Sequence, residues 1–179
     1  MSTAVSRPPF EIPARMVLMG VSGCGKSSVG AALQARTGAR FVEGDALHPA
    51  ANIAKMSAGI PLTDEDRWPW FELVAEALAS EPQPVAVGCS SLKRIYRDFI
   101  RERAGQDVVF IHLSGSRAVI ESRMRERTGH FMPPSLLDSQ FATLEPPQAD
   151  ERAVTVDIDQ SWEGIVDDIL KGLKELRHG

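Results

Sequence analysis

The stretch "VLMGVSGCGKSSVG", residues 17–30, decides the fold. Its segment from Gly20 to Ser27 matches the pattern G-x-x-x-x-G-K-[ST] at every fixed position. In such a loop the backbone N–H groups turn inward around phosphate oxygens, in conformations that glycine adopts at little cost. The helix that follows directs its unpaired N–H groups and its positive dipole end at the same anion. The stretch therefore predicts a strand, a phosphate-binding loop and a helix.

This loop also predicts which residues contact a nucleotide. Lys26 is expected to bridge the β- and γ-phosphates of a nucleoside triphosphate, and the Ser27 hydroxyl to ligate Mg²⁺. The predicted nucleotide contacts of the loop are Gly20, Ser22, Gly23, Cys24, Gly25, Lys26, Ser27 and Ser28. The motif leaves the fate of the γ-phosphate open, because nucleotide switches, motors and kinases all share it.

Length and composition set the frame around this loop. The chain has 179 residues and 43% hydrophobic content, which suits one domain. We expect a flexible lead-in over residues 1–14 and a single P-loop domain over residues 15–179. The net charge of −4 does not point to nucleic acid, no apolar run has membrane-spanning length, and two cysteines make no disulfide framework. The simplest expected location is the cytoplasm.

Strand and helix patterns alternate along the chain. Thr63 is expected to be the N-cap of a helix that includes Phe71. A final amphipathic helix is expected to begin near Trp162. Alternation of this kind predicts an α/β fold, a five-stranded parallel sheet with helices on both faces. The predicted strands are residues 16–19, 40–43, 84–91, 107–113 and 153–158, and the other predicted helices are residues 26–37, 49–57, 92–103, 116–127 and 135–144.

Ligands of parallel sheets gather at the carboxyl ends of the strands, and two acids are expected there. Glu43 and Asp45 are two residues apart, so on an extended strand their side chains share one face. Asp45 is predicted to accept the proton of an incoming hydroxyl, and Glu43 to hold a Mg²⁺-bound water. The alternative is that both are ordinary loop acids.

Positive charge is concentrated in one stretch. Nine of the twenty Lys and Arg residues lie between residues 93 and 127. Most of them are interpreted as members of solvated helix faces with ion pairs at i,i+4 spacing. Two or three are predicted to meet phosphate.

Several longer segments together resemble the gluconokinase family of small P-loop kinases, which make 6-phosphogluconate from D-gluconate and ATP. They are "GVSGCGKSSVG", "EGDALHPAANIAKMSAGIPLTDEDRWPW", "CSSLKRIYRD", "GHFMPPSLLDSQFATLEPP" and "VDIDQ". They occur in order from about Met16 to Gln160, and the second is far more specific than the loop motif. The resemblance implies a P-loop fold like that of the nucleoside monophosphate kinases, with a mobile lid at about residues 123–133, and a homodimer.

The resemblance also implies roles for individual residues. Asp45 resembles the acid that orients and deprotonates the acceptor hydroxyl, while Arg123 and Arg127, four apart, resemble lid arginines that close onto the phosphates. Gln160 is expected near the base of ATP. The residues expected to contact gluconate are Asp45, His48, Lys55, Arg67, Ser90, Lys93, His130 and Gln140.

Two alternative functions stay open at this point. One is a related kinase that acts on shikimate or a nucleotide, and the segment from His48 to Arg67 argues against it. The other is a nucleotide switch without acceptor chemistry, against which the pair Arg123 and Arg127 argues. The three tryptophans are interpreted as packing groups, with Trp68 and Trp70 expected to fix Arg67.

Overall fold

The computed structural model describes residues 12–126 and 134–178. Predicted segment ends agree with the observed ones to within about three residues, as the alternating pattern implies. The strands are β1 Arg15–Met19, β2 Arg40–Glu43, β3 Val85–Gly88, β4 Val109–Ser114 and β5 Ala153–Asp157. The helices are α1 Lys26–Thr37, α2 Ala50–Ser57, α3 Asp64–Ser80, α4 Arg94–Ala104, α5 Arg117–Glu126, α6 Pro134–Thr143 and α7 Trp162–His178, and a short 3₁₀ turn covers Gly44–Leu47.

The five strands form one sheet in the order β2-β3-β1-β4-β5, and every pairing is parallel. β1 lies at the centre, where Leu18 is level with Gly88 on one side and Ile111 on the other. Gly88 is also level with Glu43 of β2. The turns after β1, β2 and β3 therefore leave the same edge of the sheet side by side.

Both faces of the sheet are covered, as predicted. Successive residues of β1 alternate between the faces, because side chains of a strand point to opposite sides. Met16 and Leu18 pack in one buried cluster with residues of α1 and α7. Val17 and Met19 pack in a second cluster with residues of α3 and α4. This alternation explains why the strands are apolar almost throughout.

The start of α3 is fixed by its own sequence. Thr63 accepts a hydrogen bond from the Asp66 amide, and the Asp66 carboxylate accepts one from the Thr63 amide. This capping box confirms Thr63 as the N-cap. Pro69 lies inside this helix.

Nowhere in residues 12–126 or 134–178 is a helix long and apolar enough to cross a membrane.

Candidate active site

The phosphate loop joins β1 to α1 in a conformation that depends on glycine. Gly23 and Gly25 have φ of 86° and 100°, in the left-handed region that other residues rarely adopt. A side chain at Gly25 would also approach the Trp162 ring to 2.9 Å. Gly25 is the N-cap of α1 and no side chain caps it, so the first N–H groups of the helix face the loop.

Lys26, the first residue of α1, folds back over this loop. Its Nζ donates to the Gly20 carbonyl at 2.9 Å and to the Val21 carbonyl at 3.2 Å. Ser27 and Ser28 follow in the first turn and are half-buried, whereas Cys24 is fully buried. The ammonium group therefore lies among the residues predicted to contact the polyphosphate.

The acid Asp45 is not on a strand, and the prediction of an extended segment was wrong. β2 ends at Glu43, and Asp45 lies in the 3₁₀ turn Gly44–Leu47. Gly44 approaches the end of β3 so closely that an added Cβ would lie 2.0 Å from the Gly88 carbonyl oxygen. The Trp70 indole N–H donates to the Gly44 carbonyl at 2.9 Å. Backbone contacts, rather than strand geometry, thus position the exposed Asp45 side chain.

His48 directly follows the 3₁₀ turn Gly44–Leu47, called here the acid turn, and is held by several contacts. Its ring stacks on Trp70 with centroids 3.9 Å apart. The Asn52 amide nitrogen donates to the Asp66 carbonyl at 2.9 Å and lies 3.2 Å from His48 Nδ1. Since that nitrogen can only donate, Nδ1 accepts and the proton of the neutral ring is on Nε2. Burial lowers the pKa of His48, partly offset by the charge of Asp45, so the neutral form is favoured.

Two acids of α3 hold the cations predicted to bind the acceptor. Lys55 Nζ lies 2.7 Å from Asp66 Oδ2, and the hydrogen bond from Lys55 lowers the pKa of Asp66 to about 2. Arg67 Nη1 lies 3.3 Å from Asp64 Oδ1. Lys93 Nζ reaches the same carboxylate at 4.0 Å.

Tyr96 completes this cluster from α4. Its hydroxyl donates to Asp64 Oδ1 at 2.5 Å and accepts from Arg67 Nη1 at 3.3 Å. The Lys93 ammonium lies 5.6 Å from the centre of its ring. Lys55, Arg67 and Lys93 are therefore brought to one side of the site, on supports that come from α3 and α4.

The turn after β3 joins this side to the phosphate loop. The Gly20 amide donates to the Ser90 carbonyl at 3.2 Å, which places Ser90 beside the first glycine of the loop. Burial raises the pKa of the neighbouring Cys89 thiol to about 12, and the charges of Asp45 and Lys26 both act on that thiol. An added Cβ at Gly88 would lie 3.8 Å from Lys26 Cβ, and one at Gly44 would lie 2.0 Å from the Gly88 carbonyl oxygen. The end of β3 therefore lies between the loop lysine and the turn that carries Asp45.

Gln140 of α6 lies against the phosphate loop. Its side-chain oxygen accepts a hydrogen bond from the Ser22 amide at 2.7 Å. The sequence suggested a contact with the acceptor, and the contact observed within the protein is with the loop.

A cleft of about 440 Å³ opens between α5 and the β5–α7 turn. Arg123 lies at its wall, with its guanidinium 4.3 Å from the centre of the Trp162 ring and Nη2 donating to the carbonyls of Ile158 and Gln160. Trp162 in turn contacts Gly25 of the loop. The residues that line the cleft are Ala118, Val119, Ser122, Arg123, Asp159 and Gln160. Arg127, His130 and most of the predicted lid lie outside the described residues.

Ser27 and Glu43 are suitable residues for Mg²⁺. Both carry oxygen donors, the ligand type that this ion prefers, and such sites commonly use one or two protein oxygens with substrate phosphates and water. Ser27 is beside Lys26, and Glu43 ends β2 level with Gly88. The donor set therefore fits the ion that the loop motif implies.

Comparison with known proteins identifies the family. No family model matches the chain. It is 45% identical over 165 residues to the thermosensitive gluconokinase of Escherichia coli (strain K12), covering 90% of this chain and 88% of that protein. The crystal structure of a gluconokinase from Sinorhizobium meliloti 1021 is 53% identical, with a TM-score of 0.87 over 94% of this chain and 96% of that one.

The chain belongs to the gluconokinase family. A shikimate kinase from Aquifex aeolicus vf5 shares 18% identity, with a TM-score of 0.62 over 92% of this chain and 99% of that one, and confirms the P-loop kinase fold alone. The relatives therefore favour the gluconokinase interpretation over the two alternative functions.

In this gluconokinase-family chain, one interpretation of the basic stretch needs correction. Arg97 and Arg101 of α4 are not on a solvated face but are 0% and 6% exposed. Arg97 makes two hydrogen bonds to the buried Glu151, and Arg101 Nη2 lies 3.1 Å from the same carboxylate. No local pattern indicates this cluster, because Glu151 is 54 residues from Arg97.

Sequence reasoning about the gluconokinase site also missed several supporting residues. Trp70 was expected to fix Arg67, but it holds Gly44 and His48 instead. The roles of Tyr96 and Asn52 were not predicted, since a lone Tyr or Asn inside a helix belongs to no motif. An i,i+4 spacing does connect His48 to Asn52 and is the one signal that could have been used.

Proposed function

We propose that the chain transfers the γ-phosphoryl group of ATP to D-gluconate, which gives 6-phospho-D-gluconate and ADP. One observation carries the proposal: the phosphate loop, the Asp45 turn and the Ser90 turn lie side by side at one sheet edge. Gly20 bonds to Ser90, and Gly44 lies against Gly88. The two gluconokinases to which the chain is similar at 45% and 53% identity support the choice of acceptor.

The phosphate side consists of the loop and α1. Inward-facing amides and the N-terminus of α1 hold the polyphosphate, and Lys26 leaves the carbonyls of Gly20 and Val21 to bind it. Ser27, and Glu43 through a water molecule, would hold Mg²⁺, which would supply charge neutralisation for the phosphates. The cleft beside Arg123 and Gln160 takes the base of ATP.

The acceptor side carries cations suited to a sugar acid. Lys55 pairs with Asp66 there, and Arg67 and Lys93 share Asp64. The planar Arg67 guanidinium binds the substrate carboxylate with two parallel hydrogen bonds. His48 donates from Nε2 to a substrate hydroxyl, and Ser90 and Gln140 add further polar contacts.

Asp45 supplies the proton chemistry. The terminal hydroxyl oxygen of gluconate attacks the γ-phosphorus while the bond to the β–γ bridging oxygen breaks, so ADP leaves with that bonding pair. The hydroxyl proton passes to the Asp45 carboxylate late in the transfer. The exposed position of Asp45 in its turn leaves the carboxylate free to face the acceptor.

The lid over residues 123–133 belongs to the same proposal. Closure brings Arg123, Arg127 and His130 onto the transferring group and excludes water that would compete for it. The single kinase domain over residues 15–179, the homodimer and the cytoplasmic location stay predictions.

The direct test is formation of 6-phosphogluconate by the purified chain from ATP and D-gluconate. Shikimate and a nucleoside monophosphate serve as alternative acceptors in a coupled assay of ADP release. We expect phosphorylation of gluconate and of neither alternative acceptor. Lys26→Ala is expected to keep its fold and to lose at least ~100-fold in turnover. ATP hydrolysis that gluconate does not accelerate would exclude the proposal.

A further inference from the structure

The turn between β3 and α4, residues 89–93, contacts both halves of the proposed site. Its Ser90 carbonyl accepts from the Gly20 amide of the phosphate loop at 3.2 Å. Lys93 at its far end lies on the acceptor side, 4.0 Å from Asp64. Between them Ser91 is fully buried with φ of 44°, a left-handed conformation that is uncommon outside glycine. Strained backbone of this kind persists only where the surroundings hold it.

The residue that holds this turn is Arg97. Its guanidinium is 0% exposed and lies in the first turn of α4. Nη1 donates to the Ser91 carbonyl at 2.9 Å and to the Leu92 carbonyl at 3.2 Å. On its other edge Nε and Nη2 donate to the Glu151 carboxylate at 2.7 and 3.0 Å. Because the group is planar, the position of the carboxylate fixes where the two carbonyls lie.

Glu151 is itself firmly fixed before β5. Its carboxylate accepts from the Gln148 amide at 2.8 Å and from Arg101 at 3.1 Å. Burial works against ionisation, yet the hydrogen bonds from Arg97 and the Gln148 amide lower the pKa of Glu151 to about 2. The same loop binds the turn directly, because the Glu145 amide donates to the Leu92 carbonyl at 2.8 Å.

We propose that Arg97 is a positioning residue for the phosphoryl acceptor. Through the carbonyls of Ser91 and Leu92 it sets the turn that presents Ser90 and Lys93 to the sugar acid. A buried ion pair alone adds little stability compared with well-packed apolar residues, so its main consequence here is geometric. The inference deepens the proposed function and rests on it for the identity of the acceptor.

The chain offers a matched control in Arg101. It shares the Glu151 carboxylate, and its other contacts within the described residues are with Asp98 and the Phe110 ring, not with the turn. Arg101→Met therefore removes a cation from Glu151 and leaves the turn carbonyls bonded. Arg97→Lys keeps the charge but cannot bond to the carboxylate and both carbonyls at once.

The experiment compares the KM for D-gluconate and the KM for ATP in the wild type and both variants. We expect Arg97→Lys to raise the gluconate KM about tenfold or more and to change the ATP KM by less than about twofold. Arg101→Met lowers the melting temperature but leaves both KM values unchanged. An unchanged gluconate KM in Arg97→Lys, or an equal rise in Arg101→Met, overturns the proposal.

A second measurement needs no acceptor. Amide hydrogen exchange at residues 90–93 is expected to become faster in Arg97→Lys than in Arg101→Met, and equal rates would also overturn the proposal. Should Arg97→Lys fail to fold, Glu151→Gln replaces it, because this variant keeps the shape of the side chain. Its gluconate KM and its hydrogen exchange at residues 90–93 are then compared with those of Arg101→Met, and the same outcomes overturn the proposal. Failure of the proposed function is distinguishable, because it appears as a wild type that makes no 6-phosphogluconate.

Discussion

Replacement of Gly44 by alanine displaces the turn that carries Asp45. The added Cβ would lie 2.0 Å from the Gly88 carbonyl oxygen, whereas ordinary contacts begin at 3.4 Å. Because the obstacle is backbone of the central sheet, the acid turn must move away by roughly 1 Å or more. A displacement of that size at a reacting group costs on the order of 100-fold in rate. We therefore expect Gly44→Ala to lower kcat with gluconate about 100-fold.

The assay is steady-state ADP release with gluconate and ATP varied in turn. The ATP KM is expected to stay unchanged, because the phosphate loop is attached to β1 rather than to the acid turn. Gly38→Ala is the matched control: Gly38 has φ of 80° at the end of α1 and nothing within 4 Å of an added Cβ. It is expected to lose stability and keep its kinetics. A wild-type rate in Gly44→Ala would refute the argument that the position of this turn governs transfer.

Two further predictions concern supporting residues. Trp70→Phe removes the donor to the Gly44 carbonyl and leaves a buried acceptor unpaired, so we expect the free energy of unfolding to fall by about 1–3 kcal/mol and the gluconate KM to rise. Denaturant titration measures the first effect and steady-state kinetics the second. An unchanged gluconate KM would contradict the role of Trp70. Burial, with a smaller effect of Arg97, lowers the pKa of His112 on β4 from 6.5 to about 4. Its neutral form is therefore favoured in the folded state, and stability is full above pH 6.5 and declines by up to ~3 kcal/mol as the pH falls to 4 and below. His112→Gln should decline less over that range in denaturant titrations, and an equal decline would refute the assignment.

The sequence predicted the parts of the fold that depend on local pattern. Glycines at positions 23 and 25 mark backbone with positive φ, and Thr63 with Asp66 marks the start of α3, so these features follow from residue type and spacing. The order of the strands places their turns together by general rules for parallel sheets.

Features that depend on distant contacts were not predictable in this way. Glu43 and Asp45 were expected to share one face of an extended segment, but the chain enters a 3₁₀ turn at Gly44, which packs closely against Gly88. The charge pattern predicts that Arg97 lies on a solvated helix face, and only the fold brings Glu151 to it. Neither contact has a local signature.

The central claim is that Asp45 takes the proton of the acceptor hydroxyl, on the opposite side of the transferring group from Lys26. The most direct measurement is the single-turnover rate of phosphoryl transfer from radiolabelled ATP to gluconate in Asp45→Asn, with both substrates saturating. We expect a rate at least ~100-fold below wild type, with ATP affinity unchanged. A single-turnover rate equal to that of the wild type would contradict it.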